Sequence, residues 1–286
     1  MPLRSLLFVP GDSESKLAGG ASRGADALIL DLEDSVAPAR KTVARQLVAS
    51  YLANPARDRG LRCLVRINAI PTGLAWDDLE AVLPSRPDGL MLPKGEPELL
   101  ATLDARLHEM EGRLGLEAGA LPVWVLATET ARGVFTVGPF AGVSARLRGL
   151  AWGHEDLATE LGAVNREPDG RYSEPFRLAQ WLCALGAAAA GVDAIDGASM
   201  NFRDLDGFAR ECQEGRRGGF VAKLAIHPAQ IPLINSTFTP SAEEVEWARR
   251  IVAAFAAQPE LGVIAIDGRV VDRPHIRMAE RLLARL

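Results

Sequence analysis

Four short stretches carry side chains that could do chemistry together: Asp31-Leu32-Glu33-Asp34, Arg66-Ile67-Asn68, Thr128-Glu129-Thr130 and Gly153-His154-Glu155-Asp156. Each directly follows a short apolar run. Glu129 and Asp156 form the clearest pair, because oxygen-only ligation by two carboxylates suits Mg²⁺, with water and substrate completing the octahedron. The same two side chains could instead cap the helices after them, since acidic residues favour helix starts. Arg66 ends its run among apolar neighbours, so a guanidinium buried there needs an anionic partner. That partner is either a substrate carboxylate held by two hydrogen bonds or a structural ion pair with Asp31, Glu33 or Asp34. Those three acids cannot all be ligands, and alternation along a strand end puts Asp31 and Glu33 on one side. Lys94, after Pro93, suits an anion contact or a Schiff-base nucleophile. His154 and His227 are not needed as ligands, and His227 before Pro228 reads as a hydrogen-bonding wall residue.

Residues so far apart in sequence meet only where one fold gathers many strand ends. The chain has eight short apolar runs, at 6–9, 27–30, 63–65, 90–92, 123–126, 150–152, 194–195 and 224–226, most of them followed by a helix-like stretch. A closed parallel barrel places the carboxyl ends of all its strands on one face, which is where the chemistry-bearing residues would converge. The run at 27–30 lacks polar alternation, as a strand covered on both faces should. Helices are predicted toward Gly24, from Pro38 to Leu52, at 77–83, at 97–114, weakly at 134–141 across Gly138-Pro139, at 174–190 and at 203–214. A polar loop at 165–172 suits a flap over the pocket. Beyond Ile234 the pattern changes. Ser241 is placed to cap a helix with Glu243 and Glu244 in its first turn, and Asp267-Gly268 between two apolar pairs signals a type I′ hairpin. A last helix is predicted at 274–286.

With 286 residues, 48% hydrophobic and 24% charged, the chain can fill one large α/β barrel or two average domains. A net charge of -5 argues against nucleic acid, whose backbone needs a basic surface. Cys63, Cys183 and Cys212 show no CxxC spacing; Cys63 in a strand and Cys183 in an apolar helix read as buried thiols, and a reducing, cytoplasmic setting follows. The N-terminal apolar patch is too short for a signal sequence, and no run reaches the ~20 residues that cross a bilayer, so no membrane partner is expected.

The segments RSLLFVPGDSESKL, DALILDLEDSVAP, VRIN, GLMLPKGE, ATETARGV, GLAWGHEDLATELG, FRDLDGF, KLAIHPAQIPLIN and FTPSAEEVEWARRIV, in this order, resemble the citrate lyase β-subunit-like branch of the HpcH/HpaI aldolase superfamily. The resemblance covers essentially the whole chain. It implies an α/β fold, a (β/α)8 TIM barrel over residues 1–237, with a C-terminal helix–hairpin–helix extension over 238–286 as lid or oligomerisation arm. It also implies a homotrimer, and Mg²⁺ as cofactor held by Glu129 of the ET motif and Asp156 of the G-x-E-D motif. Arg66 matches the family's substrate-clamping arginine. The tail segment Ile266-Asp267-Gly268-Arg269-Val270-Val271-Asp272-Arg273-Pro274 resembles malyl-CoA and citramalyl-CoA lyase relatives, in which an aspartate before the final helix enters a neighbouring subunit's site. Asp272 matches it, although an Asp before Arg-Pro also suits a plain helix N-cap. One departure is Thr128, where relatives often have an aliphatic residue. The implied activity is Mg²⁺-dependent carbon–carbon cleavage of a 3-hydroxyacyl thioester of CoA, of malyl, citramalyl or citryl type, to an α-keto acid and an acetyl thioester. Two alternatives stand beside it: the β subunit of a citrate lyase complex acting on an acyl-carrier-protein thioester, and a non-catalytic ligand-binding scaffold on an inherited fold.

Overall fold

Residues 3–58 and 60–286 are described by a computed structural model. Contacts divide the chain into two compact units, Leu3–Ser236 and Thr237–Leu286. The first runs β1 (Ser5–Pro10), α1 (Glu14–Gly20), β2 (Ala27–Asp31), α2 (Lys41–Ala53), β3 (Arg62–Arg66), α3 (Leu74–Val82), β4 (Gly89–Leu92) and α4 (Pro97–Leu114). It continues with β5 (Val123–Leu126), α5 (Ala131–Phe135), β6 (Leu147–Ala151), α6 (Glu155–Leu161), α7 (Glu174–Ala190), β7 (Asp193–Asp196), α8 (Leu205–Arg217) and β8 (Ala222–Ala225). The short α9 (Ile231–Phe238) spans the division between the units. All eight strands pair in parallel with their sequence neighbours, and β8 closes on β1 through Leu6 and Leu224. The closed eight-stranded parallel barrel read from the apolar runs is the observed fold.

Side-chain alternation explains where the polar residues go. Ala27 and Ile29 of β2, and Leu64 of β3, belong to the cluster that fills the barrel. Two residues further along each strand come Asp31 and Arg66, which therefore face the same interior at its carboxyl end. The β2–β3 register sets them side by side, Asp31 opposite Arg66. Lower in the barrel, Trp124 takes the space of several ordinary side chains. A Cβ on Gly89 would come within 2.5 Å of its Cζ3, and one on Gly149 within 2.8 Å of its Cδ1. The β5–β6 register shifts between Val123 and Trp124, so that Gly149 faces the indole.

Several boundaries differ from the sequence expectation. The sixth strand ends at Ala151, leaving Trp152 beyond it. The weak helix expected at 134–141 is two pieces, α5 and a 3-10 turn at Gly138–Phe140, because Gly138-Pro139 cannot continue a helix. Helices α6 and α9 have too few turns to show a period in the sequence.

In the second unit, α10 (Ala242–Ala257) starts on the expected cap: Ser241 Oγ accepts from Glu244 N at 3.1 Å, and Glu244 Oε2 accepts from Ser241 N. The hairpin of β9 (Val263–Ile266) and β10 (Arg269–Asp272) turns through Asp267 at φ 50° and Gly268 at φ 75°, the positive pair a type I′ turn requires. Helix α11 (Arg273–Leu283) follows. Ala248, Ile251, Phe255, Ile264, Val271 and Ala279 give this unit its own small core.

Candidate active site

A cavity of about 240 Å³ opens at the carboxyl end of the barrel. Asp31, Arg66, Glu129 and Asp156 all line it, beside Phe8, Leu126, Leu224 and Ile226. Three of the four site residues read from the sequence, Arg66, Glu129 and Asp156, are thus brought together. The fourth, Asp272, lies in the second unit. There it occupies the N-cap position of α11, with His275 Nδ1 2.5 Å from its Oδ1 and 3.2 Å from its backbone N.

Arg66 resolves one alternative the sequence left open. Its Nε and Nη2 donate to the two carboxylate oxygens of Asp31 at 2.7 and 2.6 Å, a fork-to-fork pair, and Nη1 lies 3.0 Å from Glu33 Oε2. Among the described residues no acceptor takes its remaining N–H groups, and the guanidinium faces the cavity with Phe8 stacked on it at 4.7 Å. Burial disfavours both charges of the pair, but mutual attraction wins: the Arg66 pKa is raised and that of Asp31 lowered. Arg66 is therefore an ion-paired cation that still presents donors to the cavity.

Lys94 was ambiguous in the sequence, and the structure assigns it to anions. Its Nζ lies 2.6 Å from Glu33 Oε1, 3.3 Å from Asp34 Oδ2 and 3.1 Å from Asp156 Oδ2. Burial works against this ammonium, yet Glu129 and Glu33 outweigh it and its pKa rises. A lysine held protonated is a poor Schiff-base nucleophile. Its backbone sits at φ 48°, a left-handed conformation uncommon outside glycine, and from there Lys94 N donates to Glu129 Oε2 at 2.7 Å.

Glu129 itself is almost completely buried. Burial, then the charge of Glu33, push its pKa up to about 8 despite Arg66 and Lys94. Burial likewise lifts Glu33 to about 7. Negative charge is in excess around this cavity. Gly153 keeps the space beside Glu129 open, since a Cβ there would lie 2.6 Å from Glu129 Cγ and 3.1 Å from its Oε1. Glu33 and Lys94 are the residues whose part the sequence did not fix. The alternation argument placed Glu33 on the Asp31 side, but ion-pair partners are a matter of tertiary contact. Thr128 is buried with an unpartnered hydroxyl and does not line this cavity.

A closed parallel barrel with carboxylates and a guanidinium at its carboxyl end defines a (β/α)8-barrel enzyme class. The HpcH/HpaI aldolase/citrate lyase model matches residues 4–228, and a model of C-C bond lyases of the TIM-barrel fold matches 183–286. The chain belongs to the HpcH/HpaI aldolase/citrate lyase family. It is similar to (3S)-malyl-CoA thioesterase of Cereibacter sphaeroides, at 37% identity over 99% of this chain and 94% of the relative. It is also similar to mitochondrial citramalyl-CoA lyase of Rattus norvegicus, at 32% identity over 99% and 86%. The solved structure of the CitE protein of Mycobacterium tuberculosis in complex with magnesium, acetoacetate and coenzyme A is 34% identical, with a TM-score of 0.77, covering 99% of this chain and 98% of that one.

Proposed function

We propose that this protein is an Mg²⁺-dependent carbon–carbon lyase that cleaves a 3-hydroxyacyl-CoA thioester of malyl, citramalyl or citryl type. The observation that carries the reading is the convergence of Glu129, Asp156 and Arg66 on one cavity, in a chain similar to a protein named citramalyl-CoA lyase. The donor set fits the ion. It is all oxygen, its carboxylates outnumber the two cations beside them, and Gly153 leaves room beside Glu129 Oε1. Among the described residues no three His, Cys, Asp or Glu side chains form a ready-made metal cage. Glu129 and Asp156 would accordingly hold Mg²⁺ as a pair, leaving positions for water and substrate. When bound, Mg²⁺ supplies Lewis-acid stabilisation of negative charge on the keto-acid oxygen.

The chain's own residues then have separate tasks. The free donors of Arg66 hold the substrate carboxylate, and Asp31 keeps the guanidinium fixed. The apolar wall of Phe8, Leu126, Leu224 and Ile226 excludes water from the breaking bond. The bond between the carbinol carbon and the carbon next to the thioester breaks, and its electron pair passes into the thioester enolate. The carbinol hydroxyl gives up a proton and the enolate carbon takes one up, so the products are an α-keto acid and an acetyl thioester. Asp272 of a neighbouring copy would deliver the proton at carbon.

In this reading residues 1–237 form the catalytic barrel and 238–286 the arm that closes another copy's site, within a cytoplasmic homotrimer. Val263, Val270 and Met278 of the arm are exposed apolar side chains that suit burial against a second copy. All three cysteines are free and buried, as a reducing compartment favours. Among the described residues no helix is long and apolar enough to cross a membrane. The similarity to a thioesterase favours hydrolysis as a second reading. One experiment separates them: incubate the protein with Mg²⁺ and malyl-, citramalyl- or citryl-CoA and identify the products. The lyase reading requires keto acid plus acetyl-CoA. Free CoA with intact hydroxy acid would replace it with the hydrolase reading, and no turnover of any of the three thioesters would end both.

A further inference from the structure

His154 was read from the sequence only as a side chain the metal does not need. In the structure it is almost fully buried in the turn that carries Asp156. Three separate pieces of chain meet on its ring. Nε2 donates to the carbonyl oxygen of Ala198 after β7 at 2.7 Å, since a carbonyl only accepts. Nδ1 faces Asn165 Nδ2 at 3.0 Å, at the root of the polar 165–172 loop, and Glu155 Oε1 at 2.8 Å. Asn165 Nδ2 also donates to Glu155 Oε1 at 2.9 Å. The faces of the ring are taken by Trp152 and by Tyr172 at the far end of that loop, with centroids 5.3 and 5.0 Å away. Trp152 is fixed in turn, its Nε1 donating to buried Asp196 at 2.6 Å. Tyr172 accepts from Arg166, whose guanidinium stacks on its ring at 3.9 Å. The His154 carbonyl closes the first turn of α6 by accepting from Ala158 N.

Asp156 sits two residues beyond this hub, in the first turn of a helix of only seven residues. Such a short helix has little stiffness of its own, so the direction of Asp156 depends on what its first turn is tied to. We propose that His154 is a positioning residue. It fixes the turn that aims Asp156 into the cavity, and through Asn165 it makes the 165–172 loop part of the same unit. The inference rests on the reading of Glu129 and Asp156 as metal ligands. Partners that orient metal ligands typically contribute about 10–100-fold in metal affinity.

The test is Mn²⁺ binding to the full-length protein, read from the paramagnetic resonance of the free ion, with thermal melting recorded for every variant. His154→Ala should weaken Mn²⁺ binding about 10–100-fold. His154→Gln, whose amide can still donate to the Ala198 carbonyl, should recover most of the loss. Asn165→Ala should weaken binding severalfold, and the double variant should be no worse than His154→Ala alone, because the two act as one unit. Wild-type affinity in His154→Ala, or independent addition of the two effects, would overturn the proposal. If His154→Ala does not fold, Asn165→Ala and His154→Gln decide: wild-type affinity in Asn165→Ala overturns it, and weakened binding there with near-normal binding in His154→Gln supports it. Glu129→Gln separates this claim from the one beneath it. If that variant binds Mn²⁺ like wild type, the metal site itself is wrong and the proposal falls with it. If it loses the ion while His154→Ala retains it, only the positioning role falls.

Discussion

The carboxylates around the cavity are held in a state that one divalent cation would relieve. Glu129 has its pKa raised to about 8, so between the ordinary carboxylate range and that value the folded protein binds more protons than the unfolded chain. Stability of the chelated protein should therefore fall as pH rises from about 5 to about 8, and Glu129→Gln should flatten that slope. Melting temperatures measured across this range in chelator are the check, and a rise with pH would contradict the assignment. Added Mg²⁺ should restore stability most at the alkaline end, where Glu129 is ionised. Arg66 gives a sharper case, since removing it takes from buried Asp31 its ion-pair partner and leaves Glu33 with Lys94 alone. Arg66→Met should cost roughly 3–5 kcal/mol, seen as a lowered urea midpoint. The identities of Arg66, Glu129 and Asp156 as candidates were legible because each follows an apolar strand. That Arg66 is at once ion-paired and still open to a ligand was not legible, since the sequence posed those as alternatives. The strained backbone of Lys94, which aims an N–H at Glu129, left no trace in the sequence either.

Turns and caps carry the site as much as the strands do. Gly153 is the narrow point of the β6–α6 turn, and Gly153→Ala should push Glu129 aside and weaken Mn²⁺ binding while leaving the barrel folded. Unchanged binding would show that the turn can yield. In the second unit, Ser241→Ala removes one half of a capping box and should cost α10 about 1 kcal/mol, measurable as faster amide exchange in its first turn. Elements with strong local grammar were readable in advance: the Pro-initiated α4, the capped α10 and the Asp267-Gly268 hairpin. Short helices such as α6 were not, because its seven residues offer too little period, and their geometry comes from what surrounds them.

At the scale of the proposed assembly, the arm takes part in the barrel's reaction through Asp272 acting in another copy. Mixing Glu129→Gln subunits with Asp272→Asn subunits should then restore activity that neither variant has alone, because mixed oligomers contain sites with both groups intact. Absence of rescue, with subunit exchange verified, would confine Asp272 to capping α11 beside His275. The barrel itself was the most legible feature of the chain, since eight apolar runs of strand length leave few other arrangements. What fills it was less so. Trp124 occupies room left by Gly89 and Gly149 on its flanking strands, and this dependence gives mutational history a direction. A lineage can trade the indole for something smaller in one step and pay only a void. It cannot place a methyl at either glycine while the indole remains. Descendants that fill those positions must have shrunk residue 124 first, and a return to Trp is then closed until both glycines come back.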